Sequence, residues 1–356
     1  MDAIVVSKAD RTPRLVDRPR PDPTPGSVLV RTLRVGVDGT DHEVIAGTHG
    51  GFPEDADELV LGHEAIGVVA DPTDTRFSAG QLVAPTVRRP RGDPTPQFDR
   101  GQPDMAAPGT YVERGIDGAD GFMADYFTSP ADALVALPDS LAAHGFLTEP
   151  VSVAEKAIEL ALASRSAFDW RPDSALVLGN GSLGLLTLAI LAARDDTETL
   201  YCLGRRSRPD PTIDIIERLG ATYIDSRTTP VADIPAAHQP VDMVYEATGH
   251  AKHAFDAIDA LAPAGVAALL GVPAAGWTFE VPGSDLHRSL VLENKAVVGS
   301  VNSNARHFRA AADTLAALPD WLCDAIVTGV HDTAAFADAF RDGETSIKTA
   351  VQFDTR

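Results

Sequence analysis

The chain has 356 residues, 44% of them hydrophobic, and a net charge of −21. That length predicts two domains, each with a sizeable core. The charge excludes nucleic acid as a partner, because phosphate would be repelled, and no apolar stretch is long enough to imply a membrane span.

The start, Met1-Asp2-Ala3-Ile4-Val5-Val6, reads as a strand without a cleavable signal pattern, so a cytoplasmic location is expected. Val28 to Val35 alternates in part, as a strand does. Gly36 to Glu43 breaks that pattern. Leu59-Val60-Leu61 leads into Gly62-His63-Glu64-Ala65-Ile66-Gly67-Val68-Val69, a polar pair at the mouth of an apolar run. Gly80 to Pro85 and Leu134 to Pro138 are short strands. Residues 88 to 118, rich in Pro, Gly, Arg and Asp, read as a long loop. The rhythm changes near residue 150. A helix is predicted over 151 to 164, then a buried strand (Ala175 to Gly179) and a helix (Leu183 to Ala193). Strands follow at Leu200 to Leu203, Ala221 to Ile224, Val241 to Tyr245 and Val266 to Leu270, with helices at 212 to 219 and 252 to 262. This alternation predicts a parallel sheet covered on both faces.

Cys202 and Cys323 cannot build a disulfide framework and read as buried thiols. The acids are dispersed: residues 41 to 75 hold nine, with no Lys or Arg. Lysines number five against twenty-five arginines. Such a surface repels itself at low salt, and screening relieves it. The composition resembles that of proteins from salt-accumulating halophiles.

Gly179-Asn180-Gly181-Ser182-Leu183-Gly184 is a full G-x-G-x-x-G between a strand and a helix, the setting in which backbone N–H groups and the positive helix end hold a pyrophosphate. After the next strand an NAD enzyme usually places an acid to read the ribose. Here Gly204-Arg205-Arg206 follows, and two guanidiniums suit a 2′-phosphate. NADP is therefore expected, with NAD secondary. Zinc with an open position takes about three N, O or S ligands. Asp38, His63, Glu64 and Glu149 are candidates, although nothing in their spacing joins them. Read alone, Glu113 is a solvated loop acid and Asn302 a turn residue.

The Gly-His-Glu-x-x-Gly-x-Val motif at 62 to 69, the G-x-G-x-x-G and Asp242-x-Val-Tyr-Glu-Ala-Thr-Gly249 together resemble the zinc-dependent medium-chain dehydrogenase superfamily, over essentially the whole chain. Residues 38 to 43 and Leu147-Thr148-Glu149-Pro150-Val151-Ser152 look most like the glucose dehydrogenases of halophilic archaea. The resemblance implies an α/β chain in two parts. A GroES-like β-rich catalytic domain spans 1–152 and 299–356, a Rossmann-fold doubly wound parallel sheet spans 153–298, and a cleft lies between them. It puts the catalytic zinc on Asp38, His63 and Glu149, with Glu64 able to approach the metal. Asp38 stands where most relatives carry Cys. No structural zinc is expected, because residues 88 to 118 hold no cysteine. The relay His of many relatives is replaced by Glu43, with His42 one residue early, so Thr40 is the implied relay. Thr40, Glu113, Glu149 and Asn302 would meet the sugar. Gly271-Val272-Pro273 and Ser300-Val301-Asn302 would flank the nicotinamide. The implied activity is NAD(P)-linked oxidation of β-D-glucose, or of galactose or xylose, at the anomeric carbon by a homodimer or homotetramer. A polyol or alcohol dehydrogenase on the same scaffold is the alternative. A redox-inactive structural protein would have lost the ligand set.

Overall fold

The computed structural model describes residues 1–194, 196–341 and 343–356. The chain divides into two compact units. One comprises Met1–Ser152, Asn302–Pro319 and Val327–Arg356; the other comprises Val153–Val301 and Asp320–Ile326.

The first unit is β-rich. Its main sheet runs Leu134–Ala136, Leu82–Pro85, Glu64–Asp71, Ser27–Val37, Lys348–Gln352, Val327–Asp332, and Tyr126–Pro130 also pairs with Ser27–Val37. All neighbours are antiparallel except the last two strands of that order. The eleven-residue strand Ser27–Val37 is buried along nearly its whole length, so it reads as an apolar run rather than a strict alternation. It is the central strand, and its end positions the site: Gly36 pairs with Glu64 on one side and Ala350 on the other. The core beside it is built from Val, Leu, Ile and Phe of these strands.

Residues 88–118 are not a structureless loop. Arg88–Pro90 pairs antiparallel with Tyr111–Arg114, which pairs with Gly118–Ala119. Arg88 and Arg89 interrupt any apolar alternation, and the burial of Arg88 is made tolerable by partners at 104, 111 and 113.

The second unit is a six-stranded, all-parallel sheet in the order Thr222–Asp225, Thr199–Gly204, Ser174–Leu178, Val241–Glu246, Leu261–Leu269, Ala296–Gly299. This is the doubly wound arrangement. Ser174–Leu178 is wholly buried, and helix Ser182–Ala192 is buried from Gly184 to Leu191. Asp210 caps the helix Pro211–Arg218, accepting from the Thr212 N–H at 2.9 Å, and Pro211 preorganises the first turn. Asp242 accepts from the Ser174 hydroxyl and from the Asp173 and Ser174 N–H groups, so it ties two strands together. Helix His253–Ala260 ends two residues before the predicted stop, because Leu261 already pairs as a strand with Val241. Asp320–Ile326 joins this unit through Trp321, whose ring lies 3.8 Å from the Arg218 guanidinium. Both cysteines are buried and free. No helix among the described residues is long and apolar enough to cross a membrane.

Candidate active site

Asp38 is the N-cap of helix Gly39–Ala46. Asp38 and Asp41 form a reciprocal capping box: Asp38 Oδ1 accepts from the Asp41 N–H at 3.2 Å, and Asp41 Oδ2 accepts from the Asp38 N–H at 3.1 Å. Each carboxylate spends one oxygen on the cap and turns the other to His63. Asp38 Oδ2 lies 3.7 Å from Nε2 and Asp41 Oδ1 3.8 Å from Nδ1. The imidazole is thereby bracketed by two acids.

Glu64 begins the strand after His63, and its carboxylate is ion-paired with Lys348. Both side chains are essentially buried, at 2% and 1% exposure. Gly36 makes the room. A Cβ there would fall 2.2 Å from Glu64 Oε2 and 3.2 Å from the Lys348 side chain.

Asp38, His63 and Glu64 each offer a ligand atom within 4.8 Å of the others, a tight triplet among the described residues. Glu149, in the first turn of helix Thr148–Ser164, lies outside that triplet yet is buried close enough to feel its charges. Thr40 sits in the first turn of the helix that Asp38 caps. His42 instead packs edge-on against Phe340, with 6.2 Å between ring centroids, and Glu43 is exposed.

Electrostatics follow from the imbalance of four carboxylates against one imidazole and one ammonium. Burial raises Glu149, and the Glu64 and Asp38 charges add to it, pushing it up to about 8. Burial and the Asp38 charge push Asp41 up to about 7. Burial also raises Glu64, against the pull of Lys348. Burial would raise Asp38, but His63 and Lys348 outweigh it and hold it well below the usual carboxylate range. Burial pulls His63 down, yet Asp38, Asp41 and Glu149 keep it well above its ordinary value. Among the described residues, Asp41 Oδ1 and His63 Nδ1 have no hydrogen-bond partner. A buried N/O donor set short of positive charge, with orphaned polar atoms, fits a divalent cation such as zinc.

The predicted sugar residues Glu113 and Asn302 meet directly, Asn302 Nδ2 donating to Glu113 Oε1 at 3.3 Å. Asn302 adopts a left-handed φ of +57°, and its Oδ1 accepts from the Ser303 N–H at 2.8 Å.

In the second unit, a cavity of about 620 Å³ opens at the strand ends, lined by Gly179, Asn180 and Gly181 on one side and by Gly204, Arg205 and His250 on others. Ser182 and Leu183 form the first turn of the following helix, where N–H groups point outward. Gly184 permits the helix to approach: a Cβ would lie 2.0 Å from the Gly179 carbonyl. The two arginines diverge. Arg205 is exposed at the cavity, whereas Arg206 lies 3.7 Å from Asp210 and does not line it. Gly271 packs on Gly249, where a Cβ would fall 2.1 Å from its nitrogen. Val272 and Pro273 are exposed beyond it. Ser300 is buried, and its N–H donates to the Leu269 carbonyl at 2.9 Å. The Val301 carbonyl accepts from Lys156 Nζ at 2.9 Å.

Sequence reasoning missed Lys348, Asp41 and Arg88. The Asp38-x-x-Asp41 spacing is a legible capping box. A lone lysine inside the apolar run 347–351 of a lysine-poor chain was the signal for Lys348.

A family model for the alcohol dehydrogenase GroES-like domain matches residues 24–139, and one for the glucose dehydrogenase C-terminus matches residues 142–353. Glucose 1-dehydrogenase of Haloferax mediterranei is 60% identical over 357 residues, covering 100% of both chains. Glucose 1-dehydrogenase 1 of Haloterrigena turkmenica is 59% identical, covering 99% of both. The solved structure of Haloferax mediterranei glucose dehydrogenase in complex with NADP, Zn and gluconolactone superposes with a TM-score of 0.98 at 59% identity, covering 100% of both chains. With the β-rich unit, the parallel-sheet unit and the whole length matched together, the chain belongs to the glucose dehydrogenase family of zinc-dependent medium-chain dehydrogenases.

Proposed function

We propose that this chain is a zinc-dependent glucose 1-dehydrogenase that oxidises β-D-glucose at its anomeric carbon to the lactone, with NADP as preferred acceptor and NAD as a secondary one. The observation that carries this reading is the full-length likeness to a dehydrogenase solved with NADP, Zn and gluconolactone, because gluconolactone is the product of that oxidation.

Asp38, His63 and Glu149 would hold the ion, and Glu64 is the member free to exchange between Lys348 and the metal. Zinc, when bound, supplies a Lewis acid that lowers the pKa of a coordinated hydroxyl, and NADP supplies the hydride acceptor. Asp41 faces the Nδ1 edge of His63 at 3.8 Å as a charge partner, and Nε2 lies on the Asp38 side. Thr40 relays the hydroxyl proton, and Glu113, Glu149 and Asn302 pair with ring hydroxyls. A sugar lacking one of those hydroxyls leaves a buried partner unpaired. The backbone of 179–184 and the start of the following helix receive the pyrophosphate. Arg205, with Arg206 beside it, takes the 2′-phosphate. Gly271 to Pro273 and Ser300 to Asn302 flank the nicotinamide.

We assign 1–152 and 299–356 to catalysis and 153–298 to cofactor binding. We place the enzyme in the cytoplasm as a homo-oligomer, a dimer or tetramer. Ala296–Gly299 is an edge strand of the parallel sheet, and Val291, Leu292 and Val297 are exposed on or beside it, which suits pairing with a second copy.

The test is steady-state kinetics on a sugar and polyol panel with both cofactors, before and after prolonged chelation. Glucose with NADP should give the highest kcat/KM, and chelation should abolish turnover. A preference for sorbitol or a simple alcohol would refute the substrate assignment.

A further inference from the structure

Arg88 stands directly opposite Glu113 in the small antiparallel pair. It is only 5% exposed. A guanidinium this deep must have its donors used. Nε donates to Glu113 Oε1 at 2.9 Å, Nη1 to the Asp104 carbonyl at 2.9 Å, and Nη2 to the Tyr111 hydroxyl at 3.0 Å. Asn302 Nδ2 reaches the same Glu113 oxygen from the other end of the chain. Two donors therefore converge on Oε1, while the Glu113 side chain keeps 14% of its surface exposed. That leaves Oε2 as the oxygen available to an incoming hydroxyl.

We propose that Arg88 is a positioning residue for sugar recognition. It locks the Glu113 carboxylate in one orientation, so that Glu113 Oε2 and the Asn302 amide read neighbouring hydroxyls of the pyranose. This rests on the reading that Glu113 and Asn302 face the sugar. The planar fork is what the arrangement needs, since it serves a carboxylate, a carbonyl and a phenol at once. A lysine keeps the charge and lacks the fork.

The experiment compares wild type, Arg88→Lys, Glu113→Gln and the double variant, with KM measured separately for glucose and NADP and kcat/KM measured for glucose against its 2-, 3- and 4-deoxy analogues. Arg88→Lys should raise the glucose KM by about tenfold or more, the scale of a lost charge-assisted hydrogen bond. It should leave the NADP KM unchanged and flatten discrimination among the deoxy sugars. In the Glu113→Gln background it should cost nothing further, because Arg88 acts through that carboxylate. A rise in both KM values, or losses that simply add, would overturn the positioning role. If Glu113→Gln impairs glucose binding and Arg88→Lys does not, the positioning role alone fails. If Glu113→Gln leaves the glucose KM unchanged, the sugar-pocket reading fails and takes this one with it. Should Arg88→Lys not fold, Tyr111→Phe removes one anchor of the guanidinium without touching a charge. A smaller rise in glucose KM alone is then expected, and no change would refute the proposal.

Discussion

Replacing Lys348 by Met removes the ammonium that, among the described residues, faces Asp38, Asp41, Glu64 and Glu149. The side chain stays unbranched and loses only the terminal atom's length, so the change is chiefly one of charge. Lys348 and Glu64 are 1% and 2% exposed, so water cannot take over the lost partner. Removing one member of a buried ion pair costs about 3–5 kcal/mol. For a unit of about 200 residues, at roughly 2–4 °C per kcal/mol, that corresponds to a fall in Tm of about 6–20 °C. The loss should be largest in chelator at pH 8. It should shrink towards acid pH, because Glu64, already raised by burial, then takes up a proton instead. Adding zinc should narrow the gap between variant and wild type, since a divalent cation replaces the missing positive charge. Thermal melts in molar salt, with chelator and with zinc, read this directly. If the chelated variant melts with chelated wild type, or if zinc leaves the gap unchanged, the charge-balance reasoning is wrong.

Other outcomes follow from the same geometry. In chelated protein, Asp41 at about 7 and Glu149 at about 8 stand above their ordinary values of 3.8 and 4.5, raised first by burial and then by neighbouring acids. The folded state therefore binds more protons than the unfolded one, so this stability is full below those ordinary values and is lost as pH rises through 7 to 8. The Tm of metal-free enzyme should fall over that window while zinc affinity, measured by chelator competition, rises; a rising Tm would contradict the burial argument. Arg205→Ser should raise the NADP KM by about 10–150-fold, the range for a lost charged hydrogen bond of roughly 1.5–3 kcal/mol, with little effect on NAD. Arg206→Ser should do less, because Arg206 leans on Asp210; equal effects on both cofactors would show that the pair does not read the phosphate. With a net charge of −21, folding and activity should require molar salt, and full stability in dilute buffer would refute the halophile reading.

Local signals carried the nucleotide half. A glycine run between a buried strand and a helix has one geometry, and the alternation of short apolar runs with helices was enough for the parallel sheet. The burial of Cys202 and Cys323 was also legible, as small apolar groups inside apolar runs. Residues 88–118 were not legible, since their small sheet is held by Arg88 bonding to Glu113, Asp104 and Tyr111 rather than by an apolar period. Arg205 and Arg206 look equivalent as neighbours in sequence, and only the fold gives one the cavity and the other Asp210.

By itself, then, the sequence determined what neighbouring residues decide among themselves: the glycine turn, the cap spacing of Asp38 and Asp41, the strand and helix rhythm, and the acidic surface. The tertiary structure alone decided that Lys348 lies against Glu64 and that Gly36 makes the space for it. It likewise brought Asn302 to Glu113 and placed Glu149 outside the tight triplet of Asp38, His63 and Glu64. For Glu64, Gly36 and Lys348 the physical reason is register. Antiparallel pairing of Ser27–Val37 with Glu64–Asp71 on one side and Lys348–Gln352 on the other brings residues nearly three hundred positions apart to one place, and a one-residue slip would turn those side chains to the opposite face.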